Sequence, residues 1–211
     1  MLDVAEIFNS LQGEGPLAGH PALFIRLAGC VPPFCPWCDT PHALHPAGPD
    51  TISMSVTDLL AEVDMHPDQL IVITGGEPFR QWDNGLEEFA AKLAANNRRI
   101  QYETSGKSGI PAETYGTVVC SPKPLDRPVL ATELVARVHA FKFVVSADIA
   151  PVLCFVRTAG IDPSKVWLMP LGQTRAEQLS AMPLVWEHCL RHGFKFSPRL
   201  HVLAFNDRKG I

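Results

Sequence analysis

Short apolar segments that alternate with helix-period segments are the feature that most constrains the fold of this chain. Each strand candidate runs into a polar or glycine-rich turn, and apolar residues at helical spacing follow. Strands that alternate with helices favour a mainly parallel sheet, because parallel neighbours need a long crossover connection. Only about six such units fit, fewer than the eight of a closed barrel. We therefore predict an α/β fold, arranged as a partial, open TIM-like barrel, in one domain over residues 1–211.

Apolar periodicity places the individual elements. The predicted strands are 22–27, 70–73, 100–102, 117–120, 141–145, 165–169 and all or part of 194–205. The predicted helices are 56–63, 86–94, 132–139, 149–159 and 174–192. Ser55 is the expected N-cap of the first helix, with Asp58 three positions on.

Polar motifs follow several of these strands directly. They occupy residues 74–78, 103–106 and 121–123. In parallel α/β folds the carboxyl ends of the strands share one rim, and ligands bind there. We expect a binding site at that rim, although each motif alone is also compatible with an ordinary turn.

Composition excludes several classes of partner. The chain is 46% hydrophobic and 19% charged, with a formal net charge of −4 and a pI near 6.0. A net charge of this sign and size does not favour binding to nucleic acid or to an anionic membrane surface. No apolar run approaches the roughly 18 residues of a membrane helix. We predict a cytoplasmic protein that binds neither nucleic acid nor membrane.

The six cysteines fall into two groups. Cys30, Cys35 and Cys38 lie within nine positions, which in a cytosolic chain indicates metal ligands more than disulfides. The others are scattered in apolar surroundings and are expected to be buried thiols that pack as small hydrophobes: Cys120, Cys154 and Cys189.

Three thiolates suit a 4Fe-4S cluster in which one iron has no protein ligand. The amino and carboxylate groups of S-adenosylmethionine can chelate that iron, which brings the sulfonium to the cluster for one-electron cleavage. A zinc site is the alternative, because Cys35 and Cys38 are followed by His42 and His45. The zinc site would leave Cys30 without a role.

The motifs together resemble the 7-carboxy-7-deazaguanine synthase family of the radical S-adenosylmethionine superfamily. The resemblance runs almost from end to end and is carried by residues 8–15 (FNSLQGEG), 24–30 (FIRLAGC), 35–40 (CPWCDT), 74–78, 103–106 and 121–123. It implies a lyase of queuosine-type 7-deazapurine biosynthesis. Such an enzyme converts 6-carboxy-5,6,7,8-tetrahydropterin into 7-carboxy-7-deazaguanine with loss of ammonia. A 5′-deoxyadenosyl radical abstracts hydrogen from the pterin carbon that bears the carboxylate, and ring contraction follows.

The resemblance also implies roles for individual residues. The cluster ligands would be Cys30, Cys35 and Cys38. The substrate would contact Leu11, Gln12, Gly13, Glu14, Arg26 and Thr74. S-adenosylmethionine would contact Trp37, Cys38, Asp39, Gly76, Ser121, Pro122 and Lys123. The Arg26 guanidinium suits the substrate carboxylate, with a surface salt bridge as the alternative. Glu14 either binds the amino edge of the pterin or stabilises a turn.

Thr40 would be the protein ligand of Mg²⁺, which commonly keeps waters and takes further oxygens from substrate. Taken by itself, a threonine after an aspartate is more often a cap or turn residue. The family further implies a homodimer and an external, flavodoxin-like electron donor.

Three features depart from the family pattern. The first cysteine gap is four residues instead of three, and residues 169–172 match the family's cofactor-binding turn only loosely. The C-terminus has Val202 and Leu203 after His201, so His201 is either at the site or structural, and Ile211 receives no role. Two rival functions remain open, an activating enzyme that makes a glycyl radical on a partner protein and a zinc-stabilised binding module.

Overall fold

A computed structural model describes residues 1–67, 69–123 and 132–208, with nine strands and six α-helices in that part of the chain. The contacts divide it into two compact units. The first unit consists of Met1–Ser10 and His20–Val118, and the second of Leu11–Gly19 and the described residues from Val119 onward. Ile211 lies outside the described residues. No helix among them is long and apolar enough to cross a membrane.

The first unit is built on strands β1 to β5 and helices α1 and α2. Its elements are β1 Leu2–Leu11, β2 Pro21–Leu27, β3 Ile52–Met54, α1 Val56–Asp64, β4 Leu70–Gly75, α2 Glu87–Ala95 and β5 Ile100–Thr104. The strands lie in the order β3-β1-β2-β4-β5. β1 and β3 are antiparallel, whereas β2, β4 and β5 are parallel neighbours.

The register of β2 and β4 determines which residues lie next to each other at the carboxyl ends of these strands. Arg26 lies opposite Thr74, and Leu27 lies opposite Gly75. The two strands therefore end side by side, and the loops that follow them start at the same level. The apolar residues before these ends, such as Ile25 and Ile73, are fully buried and form the core beneath the loops.

The second unit contains the remaining elements. They are β6 Thr117–Cys120, α3 Thr132–Arg137, β7 Ala140–Val145, α4 Ala150–Thr158, β8 Val166–Pro170, α5 Arg175–His192, β9 Lys195–Phe196 and α6 Leu200–Phe205. The division between the units falls within β6. The strand order is β6-β7-β8-β9, and each pair is parallel.

The predicted α/β alternation with mainly parallel strand pairs is confirmed. Ser55 caps α1 as expected, since its hydroxyl accepts the Asp58 backbone N–H and the Asp58 carboxylate returns to the Ser55 N–H. The strand predicted over all or part of residues 194–205 is confirmed only over Lys195–Phe196. β9 has two residues, and α6 begins at Leu200. Pro198 lies between them and has no backbone N–H to continue a strand ladder.

The scattered cysteines are only partly as predicted. Cys120 and Cys189 are buried, but Cys154 is exposed on α4. Burial raises the pKa of Cys189 to about 11, as expected for a thiol packed as a small hydrophobe. The prediction of burial is wrong for Cys154, because it lies on the solvent side of an amphipathic helix whose opposite face carries Val152, Phe155 and Val156.

Candidate functional site

The glycine turn after β4 packs directly against the start of the cysteine loop. The backbone N–H of Gly76 donates to the Leu27 carbonyl at 3.1 Å, and that of Glu77 donates to the Gly29 carbonyl at 2.8 Å. A Cβ at Gly76 would overlap the Gly29 carbonyl group and lie 2.7 Å from the Ala43 oxygen. Because Gly76 has no side chain, the glycine turn can pack closely against the backbone of Gly29 and Ala43.

Glu77 links this turn to the turn after β5. Its side chain is fully buried. One carboxylate oxygen accepts the Thr104 hydroxyl at 2.5 Å, and the other accepts the backbone N–H of Ser105 at 2.9 Å and its hydroxyl at 2.5 Å. A buried carboxylate needs such donors, and this one joins the carboxyl ends of two parallel strands.

The cysteine loop is held at both ends. Gly29 and Cys30 donate their backbone N–H groups to the carbonyls of Ala43 and Leu44, each at 2.9 Å. On its other side the Lys107 ammonium donates to the carbonyls of Val31 at 3.2 Å and Pro33 at 2.7 Å. The loop is thus closed on itself and tied to the segment that follows β5.

The three loop cysteines are partly exposed free thiols. Cys30 Sγ donates to the Gly76 carbonyl at 3.3 Å, and burial raises the pKa of the Cys30 thiol. Among the described residues, no three His, Cys, Asp or Glu side chains lie close enough together to hold a metal ion. The three cysteine sulfurs therefore lie on one loop but do not converge on a common point. Three soft, unpaired thiols within one loop nevertheless match the donor chemistry of an iron–sulfur cluster.

The histidines of the zinc alternative have other neighbours. His42 Nε2 lies 3.5 Å from Glu6 Oε1, and the His45 ring meets the Phe34 ring edge-on at 5.6 Å between centroids.

Arg26 lies at the end of β2 within a group of polar residues. Its Nε donates to Glu6 Oε1 at 2.5 Å, and its Nη1 lies 3.4 Å from Thr40 Oγ1. The Thr40 hydroxyl in turn donates to Asp39 Oδ1 at 2.8 Å. Through the β2–β4 register, Thr74 is the neighbour of Arg26 on the next strand. The first unit therefore brings four predicted residues together, namely Arg26, Asp39, Thr40 and Thr74.

In the second unit, the Leu-Gln-Gly-Glu-Gly segment forms a closed loop against the segment before and within α6. The Gly19 N–H donates to the Gln12 carbonyl at 2.7 Å. Leu200 N–H donates to the Gly13 carbonyl at 3.0 Å, and Gly15 N–H donates to Ser197 Oγ at 2.8 Å. Gly13 lies under the His201 ring, because a Cβ there would be 2.5 Å from His201 Nδ1.

Glu14 anchors that loop through two cations. One carboxylate oxygen accepts Lys142 Nζ at 2.7 Å and the other accepts Arg199 Nε at 2.9 Å, with His201 Nε2 at 4.0 Å. Burial favours a higher pKa for Glu14, but the positive charges of Lys142, Arg199 and His201 outweigh it and hold the pKa well below its ordinary value of 4.5. This arrangement fits the turn-stabilising alternative for Glu14.

The remaining predicted residues differ in exposure. Leu11, Trp37 and Asp39 are exposed, whereas Gln12 is buried and its amide oxygen accepts the Glu14 backbone N–H at 3.1 Å. Directly after β6, Ser121 and Pro122 are buried and Lys123 is half-buried. Leu11 to Glu14 and Ser121 to Lys123 belong to the second unit, and the other predicted site residues belong to the first.

Comparison with known proteins decides the family. The 7-carboxy-7-deazaguanine synthase of Pyrobaculum aerophilum is 37% identical to this chain over 218 aligned positions, which cover 98% of the chain and 96% of the relative. The chain belongs to the 7-carboxy-7-deazaguanine synthase family. Synthases of the same name from Hyperthermus butylicus and Halobacterium salinarum are each 33% identical, over 97% and 98% of the chain and 93% and 91% of the relatives.

A solved structure agrees with this family. The crystal structure of QueE from Escherichia coli matches with a TM-score of 0.76 and 26% identity, over 95% of this chain and 94% of that one. No general family model matches the sequence. The family predicted from the sequence motifs is thereby confirmed. The comparisons favour neither a glycyl-radical activating enzyme nor a zinc-stabilised binding module.

The sequence analysis assigned no role to the residues that hold the predicted ones in place. Glu77, Thr104 and Ser105 lie within the motifs that it placed at the rim, whereas Glu6, Lys107, Lys142 and Arg199 lie outside them. For Glu77 a local signal existed, since an acid that directly follows two glycines at a strand end has few ways to be satisfied except by the neighbouring turn. Lys142 and Arg199 carry no such signal, because they lie 128 and 185 positions from Glu14.

Proposed function

We propose that this synthase converts 6-carboxy-5,6,7,8-tetrahydropterin into 7-carboxy-7-deazaguanine, with loss of ammonia, in a radical S-adenosylmethionine reaction. Near-full-length similarity to enzymes of that name supports the proposal. The structural observation that carries it is the cysteine loop, in which three free thiols stand on a backbone tied to the glycine turn.

Cys30, Cys35 and Cys38 would hold a 4Fe-4S cluster, and S-adenosylmethionine would bind beside it. When bound, this pair would supply the one-electron chemistry that yields a 5′-deoxyadenosyl radical. The chain's own contribution is a fixed loop. Lys107 holds two of the loop's carbonyls, and Glu77 holds the turns that follow β4 and β5. The cofactor contacts proposed on these and neighbouring segments are Trp37, Cys38, Asp39, Gly76, Ser121, Pro122 and Lys123.

Arg26 would bind the substrate carboxylate through its planar fork of N–H donors, which matches a carboxylate in shape and charge. Thr40 would contribute a ligand to Mg²⁺, with further oxygens from substrate and water. The 3.4 Å separation of Arg26 Nη1 and Thr40 Oγ1 supports this pairing, because both groups can then engage one carboxylate-bearing molecule. Leu11, Gln12, Gly13 and Thr74 complete the proposed substrate contacts. Glu14 is either a further contact or the anchor of the loop that carries Leu11, Gln12 and Gly13.

The finer architecture is part of the proposal. The alternation of helices with mainly parallel strand pairs supports a partial, open barrel. A single catalytic domain, a homodimer, a flavodoxin-like electron donor and a cytoplasmic location are what the family and the composition lead us to expect.

The decisive experiment is anaerobic reconstitution followed by incubation with S-adenosylmethionine, reductant, Mg²⁺ and 6-carboxytetrahydropterin, with products identified by mass. We expect 7-carboxy-7-deazaguanine. The protein with its iron–sulfur cluster should be brown. Cys35→Ser should lose this colour and the product, whereas Cys154→Ser, which changes an exposed cysteine outside the loop, should keep both. Formation of only 5′-deoxyadenosine and methionine would overturn the substrate assignment. A colourless protein with stoichiometric zinc would overturn the cluster.

The metal role of Thr40 has its own test. Thr40→Ala should lower the rate and weaken its dependence on Mg²⁺, because one oxygen ligand is removed. Thr57→Ala, which alters an exposed threonine on α1, is the matched control. A Thr40→Ala enzyme with unchanged rate and unchanged Mg²⁺ dependence would show that Thr40 is only a turn residue.

A further inference from the structure

Glu6 is the closest charged neighbour of Arg26. It lies on β1, and its Oε1 accepts the Arg26 Nε hydrogen at 2.5 Å. The Arg26 side chain is 17% exposed and that of Glu6 is 35% exposed, so the pair is shielded on the arginine side and open on the glutamate side. His42 Nε2 lies 3.5 Å from the same Glu6 oxygen.

Other groups limit the guanidinium further. Its carbon lies 5.8 Å from the centroid of the Phe8 ring, which is stacked on Phe24 at 4.9 Å with 5° between the planes. Nη1 is 3.4 Å from Thr40 Oγ1. Within the described residues, Nη2 has no hydrogen-bond partner. The guanidinium is therefore held at Nε and along one face, and its Nη1–Nη2 end remains the one able to take a further acceptor.

We infer that Glu6 is a positioning residue, which takes the Nε hydrogen of Arg26 and thereby directs the Nη1–Nη2 end to the substrate carboxylate. The inference rests on the proposed function, in which Arg26 binds that carboxylate. A guanidinium offers a carboxylate two bidentate edges, Nε with Nη2 and Nη1 with Nη2. With Nε occupied by Glu6, only the second edge is open, and that edge adjoins Thr40.

The negative charge of Glu6 works against this role. It offsets the charge of Arg26 and so weakens the attraction to a second carboxylate. If positioning is what Glu6 contributes, its hydrogen-bond acceptor matters and its charge does not. Two conservative substitutions separate these properties. Glu6→Gln keeps an acceptor oxygen at the same reach and removes the charge, whereas Glu6→Asp keeps the charge and shortens the reach by one methylene.

The test is a fluorescence titration of the reconstituted enzyme with pterin-6-carboxylate and, separately, with pterin, which lacks the carboxylate. The ratio of the two affinities measures carboxylate recognition. We expect Glu6→Gln to keep or increase the wild-type ratio and Glu6→Asp to reduce it roughly tenfold, the scale of one charge-assisted hydrogen bond. Turnover should show the same loss as a higher KM for the carboxytetrahydropterin with a smaller change in kcat.

Two further variants complete the design. Glu88→Ala removes an exposed glutamate paired with Lys92 on α2 and should leave the ratio unchanged. In an Arg26→Ala background, Glu6→Asp should have no further effect on the ratio, because the group that it positions is gone.

The outcomes are distinct. If Glu6→Asp keeps the wild-type ratio, or weakens both ligands equally, Glu6 is only a structural ion-pair partner and the inference is overturned. A loss in Glu6→Gln with none in Glu6→Asp would overturn it in favour of charge. If the wild-type enzyme itself does not prefer the carboxylate, the proposed substrate role of Arg26 fails, and the inference fails with it.

Discussion

Gly76→Ala should destabilise the protein and impair its iron loading. The added methyl would overlap the Gly29 carbonyl group and lie 2.7 Å from the Ala43 oxygen. Both obstacles are backbone, so the glycine turn or the base of the cysteine loop must move. Overpacking of this kind costs about 1–3 kcal/mol. The lower entropy of the unfolded alanine chain offsets about 0.4–1 kcal/mol of that. A net loss of roughly 1–2 kcal/mol corresponds to a fall in Tm of about 2–8 °C for a protein of this size.

Gly48→Ala is the matched control. Gly48 also has an ordinary φ, and a Cβ there would lie 3.2 Å from the His42 carbonyl oxygen and from Thr51 Oγ1, a contact that a small adjustment relieves. Thermal melts of the metal-free proteins, with iron content measured after reconstitution, separate the two variants. Iron loading should fall for Gly76→Ala, because Cys30 donates to the Gly76 carbonyl. Equal Tm values for the two variants would refute the packing argument.

Two other perturbations test the carboxylates. The pKa of Glu14 is lowered on folding, so its stabilising contribution is present above the unfolded value of about 4.5 and is lost as pH falls through the folded pKa. Urea unfolding from pH 7 to pH 3 should therefore show a steeper acid loss for wild type than for Glu14→Gln, and parallel curves would contradict this. Glu77→Gln should lower the free energy of unfolding by about 1.5–3 kcal/mol, since an amide NH₂ would face the Ser105 or Thr104 donors. Glu113→Gln, at an exposed position, should change it little.

Apolar periodicity predicted most of the strands and helices because their buried faces are continuous in sequence. β4 begins with four consecutive buried residues, and α1 buries residues at helical spacing. β1 was missed because polar side chains such as Asp3 and Glu6 interrupt its apolar residues and leave no run to recognise. α6 was not predicted, because a short apolar stretch does not distinguish a strand from a helix.

The site was predictable to the extent that its chemistry is carried by local motifs. Three closely spaced cysteines and two adjacent glycines at a strand end can be recognised directly in the sequence. Their supports are not, because a salt bridge such as Glu14 with Arg199 joins residues that only the fold brings together. Lys107 is a similar case, since it binds main-chain carbonyls 76 and 74 positions away, and any side chain with a long cationic reach could have served.

Two carboxylates of the N-terminal segment, Glu14 and Glu6, show why residue type alone does not assign a role. Each accepts a hydrogen bond from an arginine Nε, Glu14 from Arg199 and Glu6 from Arg26. At Glu14 the second oxygen is taken by Lys142, and the Arg199 Nη1 is taken by the Gly172 carbonyl, so the protein itself occupies both carboxylate oxygens and two of the three guanidinium nitrogens. At Glu6 the arginine keeps its Nη2 without a partner among the described residues. A bound carboxylate is stabilised by hydrogen-bond donors that the protein itself does not use. By that criterion Arg26 is suited to bind substrate, whereas the Glu14 ion pairs are suited to stabilise a loop.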